Sequence, residues 1–501
     1  MGPPPTPFTP RLFTGVMGVL VAAMMSGLSS RLGALTLADM RGSLGYGVDD
    51  GKWITTAYSA AELVAMPVSG WLAITFSMRR YHMAVVAGFA LLALIVPFAP
   101  GYQALLVLRV MQGFLGGALI PVLMAAALRF FPPSFKLYGL AIYSLTATFA
   151  PNLAVWLAGL WTDGVADWRF AFWQALPLAA LSLAMVGWGL PQDKPALGRL
   201  HSVDWLGLVA GSASLAMLVV GLDEGERLDW FHTPLIAFLL GGGVALFGVF
   251  CIAEWHHPNP FIQLRLLARR NLWLGFTLFV GTLLVAMSGA MLPAMALGEM
   301  QGFRAVQIAP VALVISLSQL ALAPAVGFVL SHRRVDARAV MALGYGLLAL
   351  ACWLGSFITP GWMAGEFVVM QALQALGQPM VIVSLLFLAT GVVAPMEGPY
   401  VAGTVNTLRA LGLFGGAVLV ERIMVVRGAF HASALTGMAA LAPAGADLAD
   451  LGARIGTQTF LLSLADAYRL LGVLALVLLP FPFLLHRVMP GQPPAPPPSG
   501  A

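Results

Sequence analysis

The sequence predicts an all-α polytopic membrane protein with 14 transmembrane helices in a 6+2+6 arrangement. Of its 501 residues, 59% are hydrophobic and 9% are charged, whereas soluble domains carry about 25% charged residues. The apolar residues recur in blocks of roughly 20, the length that crosses a bilayer core. A basic turn also occurs once in each half of the chain. This composition excludes an ordinary soluble protein, and the scattered basic residues indicate no nucleic-acid partner.

Fourteen apolar blocks are predicted to span the membrane as helices. They lie near 12–37, 53–74, 82–100, 103–129, 137–161, 168–190, 204–222, 233–254, 271–297, 305–330, 337–357, 362–391, 399–425 and 466–486.

The spans group into two bundles of six helices, at 12–190 and 271–487, joined by a linker at 191–270 that carries two extra helices. A long outward loop is expected at 427–465, although its Ala/Leu pattern also permits a short helical hairpin. The Pro-rich ends, 1–11 and 488–501, predict disordered tails.

Basic residues indicate which side of the membrane the tails occupy. The side that carries the tails has 14 Lys and Arg residues, and the opposite side has 9. Cytoplasmic loops carry the excess of positive charge. We therefore expect both termini to be cytoplasmic, in the inner membrane of a bacterium.

Two hairpins suggest a duplicated bundle. "GWLAITFSMRR" joins spans 2 and 3, and "GFVLSHRR" joins spans 10 and 11, which become helices 8 and 9 once the extra pair is set aside. Duplicated bundles are typical of transporters, with the substrate site between the halves near mid-membrane. The predicted residues of these cytoplasmic gate hairpins are Gly70, Arg79, Arg80, Gly327, Arg333 and Arg334.

Several stretches resemble one known family. "LRVMQGFLGGALIP" (108–121) is similar to the fourth-helix motif of the 14-helix drug:proton antiporter branch of the major facilitator superfamily, the EmrB/QacA-like exporters. "WITTAYSAAELVAMPVSGWLA" fits the second helix of that family, and "VNTLRALGLFGGA" fits its penultimate helix. The resemblance implies a major facilitator fold and proton-coupled efflux by alternating access. It also implies a periplasmic adaptor, or membrane fusion, protein as a partner.

The chain departs from the pattern of that family at positions that matter for proton coupling. Ser29, Ser30 and Arg31 stand where relatives carry an Asp followed by a Thr. Ile74 replaces the Asp of the first hairpin motif. In the fifth-helix motif Pro151 is kept, whereas the glycine positions are Ala150, Ala154 and Val155. We therefore expect a subgroup that exports with rearranged charges.

Charged residues inside predicted spans are the main candidates for coupling, because charge within a bilayer is costly unless it is paired or hydrated. Arg31 and Glu62 lie at similar depth in spans 1 and 2, so we expect an ion pair that takes over from the missing first-helix Asp. Glu62 would either release Arg31 on protonation or hold it permanently as a structural lock. Arg109, with Gln112 beside it, resembles the coupling arginine of the family; the alternative is a structural arginine bonded to backbone carbonyls.

Polar residues in other spans are candidates for lining a substrate cavity. Arg409 and Asn406 lie near mid-membrane in span 13, and Arg409 would suit an anionic or polar cargo or else bond neighbouring helices. A glutamine stripe on one helical face of span 12 lines the cavity or joins helices. Asn152 and Trp156 come from the other half. The stripe consists of Gln371, Gln374 and Gln378.

The sequence contains no signature of an enzyme, cofactor or metal site. It lacks a P-loop, and Cys251 and Cys352 stand in separate apolar blocks, where they read as buried small hydrophobes. We predict a secondary exporter of amphipathic organic compounds driven by protons. Two alternatives stay open: a specific exporter or importer of one metabolite, perhaps anionic, and a membrane sensor or scaffold without flux.

Overall fold

A computed structural model describes residues 8–132, 135–257, 260–394, 397–439 and 448–489. The parts of the predicted tails at 1–7 and 490–501 lie outside the described residues. The α-helices are α1 Pro10–Leu35, α2 Leu37–Leu44, α3 Val48–Phe76, α4 Met78–Ile95, α5 Tyr102–Phe130, α6 Lys136–Gly159, α7 Phe170–Trp173, α8 Ala175–Gly189, α9 Trp205–Asp223, α10 Pro234–His256, α11 Arg270–Ala290, α12 Leu292–Gln301, α13 Ala305–Ser331, α14 Ala337–Gly355, α15 Val368–Thr390, α16 Gly398–Ala439 and α17 Leu448–Leu478.

Each of the 14 predicted spans falls on one helix or on two consecutive helices. Within the described ranges, 13 helical segments are long and apolar enough to cross a membrane. The thirteenth predicted span lies in α16, a 42-residue helix that is not among those 13. The all-helical membrane architecture is therefore confirmed, and the count of 14 is consistent with it.

Several helix starts differ from the prediction, and those of α1 and α15 have a clear local cause. Helix α1 begins at Pro10, inside the predicted tail, because Thr9 caps its first turn by accepting a hydrogen bond from Leu12 N–H at 3.2 Å. Helix α15 begins at Val368 rather than near 362, because the preceding residues form turns, in which Glu366 accepts a hydrogen bond from Met363 N–H at 2.8 Å.

The region expected as an outward loop is largely helical. Helix α16 continues to Ala439 and α17 begins at Leu448, so only 440–447, which lie outside the described residues, separate them. Asp466 on α17 joins the two extensions, at 2.6 Å from Arg427 Nε and 2.8 Å from His431 Nε2. The hairpin permitted by the Ala/Leu pattern is thus the better description, because Ala-rich sequence favours helix.

The two bundles meet mainly along two helix pairs. Helix α6 packs on α13 along much of its length, and α3 packs on α16. The α3–α16 contact is close because a Cβ on Gly70 would stand 2.5 Å from the Pro399 carbonyl oxygen. Farther along the same pair, a Cβ on Gly403 would stand 3.2 Å from the Pro67 carbonyl oxygen. These contacts place the residues of α3, α6 and α16 around the molecular centre.

The extra helices α9 and α10 form an antiparallel pair beside the α3–α16 contact. Leu215 and Val219 of α9 pack against Leu63 of α3. At the end of α9, Asp223 lies 2.8 Å from Lys52 Nζ, and Glu224 accepts a hydrogen bond from the Thr56 hydroxyl at 3.0 Å. The pair is therefore fastened to the N-terminal bundle at this end.

Candidate functional site

A cavity of about 150 Å³ lies between the two bundles. Helices α1, α3, α5, α6 and α16 line it, so both halves contribute to its wall. Most lining side chains are apolar. The polar and charged ones are Ser30, Arg31, Ser59, Glu62, Thr146 and Arg409.

Glu62 lies on α3 with 9% of its surface exposed, and it is the only carboxylate that lines this cavity among the described residues. Its Oε2 accepts a hydrogen bond from the Ser30 hydroxyl at 2.9 Å. The cationic groups close enough to act on it electrostatically are Arg409 and Arg109. A carboxylate in an apolar wall, with one hydroxyl donor and cations at a distance, is suited to bind and release a proton.

Within the described residues Arg31 and Glu62 do not form the expected ion pair, so that prediction is wrong. The rotation of α1 explains the difference. Ser30, the preceding residue on α1, occupies the donor position beside Glu62. Arg31 is exposed, lines the same cavity, and has no hydrogen bond or ion pair within the described ranges. The two residues therefore share the cavity as separate charges.

Arg109 and Gln112 lie together on α5, as the sequence suggested. The Arg109 side chain is 1% exposed and donates to Gln112 Oε1 at 2.7 Å. Its guanidinium carbon lies 4.1 Å from the centroid of the Tyr58 ring, a distance typical of a cation–π contact. Arg109 is therefore held behind the cavity wall, next to the α3 turn that carries Glu62, and does not line the cavity.

Arg409 connects the bundles at the cavity. From α16 it donates to Thr146 of α6 twice, through Nη1 to the hydroxyl at 3.1 Å and through Nη2 to the carbonyl oxygen at 3.0 Å. Its Nε has no hydrogen-bond partner among the described residues. One turn earlier, Asn406 Oδ1 accepts from the Tyr143 hydroxyl at 2.8 Å. Arg409 therefore both lines the cavity and bonds a neighbouring helix.

The glutamine stripe of α15 joins helices and does not line the central cavity. Gln371 Nε2 donates to the Gly289 carbonyl oxygen at 2.9 Å, and Gln374 Nε2 donates to the Ser288 hydroxyl at 2.7 Å. Gln378 Nε2 donates to Gln374 Oε1 at 3.2 Å. The cavity-lining interpretation is corrected here because the partners of the stripe lie on α11, on α13, where Gln371 Nε2 also donates to the Val311 carbonyl oxygen at 3.4 Å, and on α15 itself, within the C-terminal bundle.

The other two cavity candidates also lie away from the cavity wall. Asn152 Nδ2 donates to the Thr148 carbonyl oxygen one turn back at 2.8 Å, and its side chain is buried. Trp156 is 40% exposed and is not among the lining residues. Pro151, which precedes Asn152 on α6, is the residue of this motif that lines the cavity.

The predicted gate hairpins separate into a packing part and an exposed part. Gly70 and Gly327 lie where the bundles touch, with a Cβ on Gly327 3.5 Å from the Leu137 carbonyl oxygen. Arg79 donates to the Leu190 carbonyl oxygen at 3.3 Å and to that of Gly187. The remaining three arginines are exposed: Arg80, Arg333 and Arg334.

Sequence reasoning missed a second contact between the bundles at the opposite end. Arg304, before α13, lies 2.5 Å from Asp163 and 3.3 Å from Asp39 of the N-terminal bundle. It also missed Ser30 and Thr146, the partners of Glu62 and Arg409. Hydroxyl residues are frequent in apolar spans, so the sequence offers no signal that separates these two from the rest.

Comparison with known proteins gives consistent matches. Residues 19–417 match the family model described as the Major Facilitator Superfamily. The fatty acid resistance protein FarB of Neisseria gonorrhoeae is 28% identical over 52% of this chain, and the match spans 53% of that protein. The multidrug export protein EmrB of Haemophilus influenzae is 23% identical over 84% of this chain and 82% of its own length.

A solved structure of proton dependent oligopeptide transporters aligns with a TM-score of 0.59 at 15% identity, over 95% of this chain and 100% of that one. At that identity the alignment supports the fold.

Proposed function

Because this chain belongs to the Major Facilitator Superfamily, we propose that it exports amphipathic organic compounds across a membrane in exchange for protons, by alternating access. The sequence-based resemblance to this superfamily and to its EmrB-like branch is confirmed by the matches. FarB and EmrB are named for fatty acid resistance and multidrug export. Export of such compounds is the activity we assign to this protein.

Glu62 is the observation that carries the proposal. It lies in a cavity that both bundles line, and the other bundle presents Arg409 to the same space. Protonation of Glu62 would remove the negative charge that faces the lining cations. A ligand can shift a conformational equilibrium only by its differential affinity for the two states. If the distance between Glu62 and Arg409 differs between the inward-facing and outward-facing states, the affinity of Glu62 for a proton differs between them as well.

Flux measurement in proteoliposomes tests the proposal. We expect purified protein to move an amphipathic dye against its gradient when a pH gradient is imposed, and to stop when an ionophore collapses that gradient. Flux that ignores the pH gradient would indicate a uniporter. Absence of flux with any of a panel of anionic, cationic and neutral amphiphiles would favour the sensor alternative.

An anionic cargo is the second candidate, and Arg31 favours it. The cavity is lined by two guanidinium groups and one carboxylate, and Arg31 has no partner within the described residues. An amphiphile with a carboxylate head would complete this charge balance. Competition between anionic and cationic amphiphiles of matched chain length, repeated with Arg31→Gln, distinguishes the candidates. An anion-selective carrier loses its preference in the variant, whereas a cation carrier does not.

We also propose a location and a protein partner. The chain is a multi-pass membrane protein, and we assign it to a bacterial inner membrane with both termini cytoplasmic. The extended hairpin of α16 and α17 would then project outward, where Val425, Val426 and Phe430 are exposed. We assign this hairpin to contact with a periplasmic adaptor. Cross-linking from Phe430→Cys in cells tests it, and a lack of any adaptor adduct would contradict it.

A further inference from the structure

Two acidic side chains meet at the predicted cytoplasmic end of the extra helix pair. Asp204 precedes α9 and accepts a hydrogen bond from Gly207 N–H at 2.8 Å through Oδ1. Glu254, in the last turn of α10, accepts one from Ile262 N–H at 2.9 Å through Oε2. Asp204 is 6% exposed and Glu254 is 2% exposed. Each carboxylate therefore uses one oxygen to bond the backbone in a buried setting.

The second oxygen of each carboxylate has no hydrogen-bond partner within the described residues. These atoms are Asp204 Oδ2 and Glu254 Oε1, and both are inaccessible to solvent. A Cβ on Gly207 would stand 2.4 Å from the first and 2.8 Å from the second. The two oxygens are consequently at most about 5 Å apart, because both lie next to the same point. Because position 207 is a glycine, the two carboxyl groups have room to approach each other.

Two ionised carboxylates cannot share a buried site without a neutralising group, because their repulsion is strong in a medium of low dielectric constant. Arg265 is the nearest arginine in sequence to Glu254, and it is exposed and donates to the Trp255 carbonyl oxygen at 3.2 Å. His256 is exposed and its Nδ1 lies 2.8 Å from the Ile252 carbonyl oxygen. No ion pair involves Asp204 or Glu254 among the described residues.

His256, His257 and Arg265 line a separate cavity of about 230 Å³ together with Glu254, and none of them forms an ion pair with it among the described residues. Arg199, in the short helix before α9, bonds the Tyr400 hydroxyl at 3.0 Å and stacks on Trp71. His201 is exposed. A metal ion fits poorly, since hard cations take about six or more oxygen ligands. The described residues contain no group of three or more His, Cys, Asp or Glu suited to a metal.

We propose that Asp204 and Glu254 form a carboxyl–carboxylate pair that binds one proton between Oδ2 and Oε1. The bound proton turns two repelling anions into a hydrogen-bonded pair with a single negative charge. This holds the start of α9, the end of α10 and the segment at Ile262 together. The proton site is independent of Glu62 and belongs to the extra helix pair.

The pair lies behind the wall of a second, larger cavity. This cavity, of about 490 Å³, is lined mostly by apolar side chains and lies between the extra pair and helices α3, α11 and α16. Gly207 and Ile262, which donate their N–H groups to the two carboxylates, both line it. Loss of the proton therefore loosens this end of the cavity.

Cys251 reports on this region. It is half-buried one turn before Glu254 and packs with Ile262, whereas Cys352 is fully buried. The test compares Glu254→Gln with its parent, both carrying Cys352→Ala, in nanodiscs from about pH 6 to about pH 9. The amide introduced by Glu254→Gln keeps an acceptor for Ile262 N–H and supplies a permanent N–H donor to Asp204. Glu299→Gln, at an exposed glutamate, is the matched control.

We expect the ratio of Cys251 maleimide labelling in the parent to that in Glu254→Gln to rise with pH. Taking this ratio at each pH removes the increase in thiolate that the two proteins share. Because the Glu254 charge itself acts on the Cys251 thiol, the Tm difference is the deciding readout. The Tm of the parent should fall by roughly 2 °C or more relative to Glu254→Gln over the same range. The direction follows because the proton stabilises the folded pair and is lost as pH rises. Glu299→Gln should track its parent.

Three results would overturn the proposal. A Tm difference between parent and Glu254→Gln that does not vary with pH would show two carboxylates that only accept backbone hydrogen bonds. Protection of Cys251 by sodium, potassium, magnesium or calcium ions, absent in the variant, would show a metal site. A constant labelling ratio across the pH range would show that no proton holds the pair.

Discussion

Replacing Gly117 by alanine is expected to push α5 away from α3 directly behind Glu62. A Cβ at this position would stand 2.7 Å from the Glu62 carbonyl carbon and 2.9 Å from its Cα. Carbon atoms in favourable contact are about 3.5–4.0 Å apart, so the helices must separate by roughly 1 Å. The clash is with backbone, which cannot rotate away as a side chain does.

The magnitude follows from two opposing terms. Overpacking a close contact costs about 1–3 kcal/mol, and alanine regains about 0.5–1 kcal/mol over glycine inside a helix. We expect a net loss of about 1–2 kcal/mol in the free energy of unfolding. The same shift moves Glu62 relative to the Ser30 hydroxyl, so proton-coupled transport should fall more than the amount of folded protein.

Thermal unfolding monitored by tryptophan fluorescence and dye export from vesicles would measure both effects. Gly415→Ala is the matched control, because Gly415 lies within α16 and a Cβ there meets nothing within 4 Å. The control should keep its activity, and its Tm should rise slightly because alanine favours helix and meets no clash there. If Gly117→Ala behaves like Gly415→Ala, the close α3–α5 contact does not position Glu62 and the reasoning fails.

Three further substitutions test contacts of the bundles. Arg304→Gln removes the ion pair with Asp163. Since Arg304 is exposed, the free energy of unfolding should fall by at most about 1 kcal/mol. Distances between spin labels on the two bundles should increase at that end. Glu397→Gln removes a bidentate partner of Arg269 at 2.7 Å. Burial acts to raise the pKa of Glu397, but Arg269 outweighs it and holds that pKa below its ordinary value. The wild-type pair therefore stabilises the fold at neutral pH and loses this effect as pH falls through the lowered pKa, so Glu397→Gln should flatten the acid decline of Tm. Gln374→Leu should lower the free energy of unfolding by about 0.6 kcal/mol, and export should be retained. Loss of export at an unchanged Tm would indicate that the glutamines act in transport.

The fold was predictable because bilayer length and apolar periodicity act on every span in the same way. Each predicted span coincides with helix, and the largest error was at 427–465, where polar and Ala-rich residues read as a loop. Helix propensity and the ion pair of Arg427 with Asp466 keep that region helical. Membrane spans are predicted from hydropathy, so a helix that continues beyond its apolar block is predicted to end too early.

The candidate site was predictable in composition but not in pairing. Glu62, Arg31 and Arg409 were identified because charge inside an apolar block is rare, and all three line one cavity. The partners of these residues depend on how each helix is rotated about its own axis. The sequence does not show which of two adjacent residues faces a given neighbour. A rotation that places Ser30 instead of Arg31 beside Glu62 changes an ion pair into a hydrogen bond.

The exchange of protons for cargo through Glu62 is the central claim, and one measurement tests it most directly. Proteoliposomes with a pH-sensitive dye inside and a loaded amphiphile would report proton movement and export together, for the wild type and for Glu62→Gln. We predict that the wild type moves protons only when cargo is present, and that Glu62→Gln abolishes this proton movement while still binding cargo. Undiminished cargo-dependent proton movement in Glu62→Gln would contradict the account.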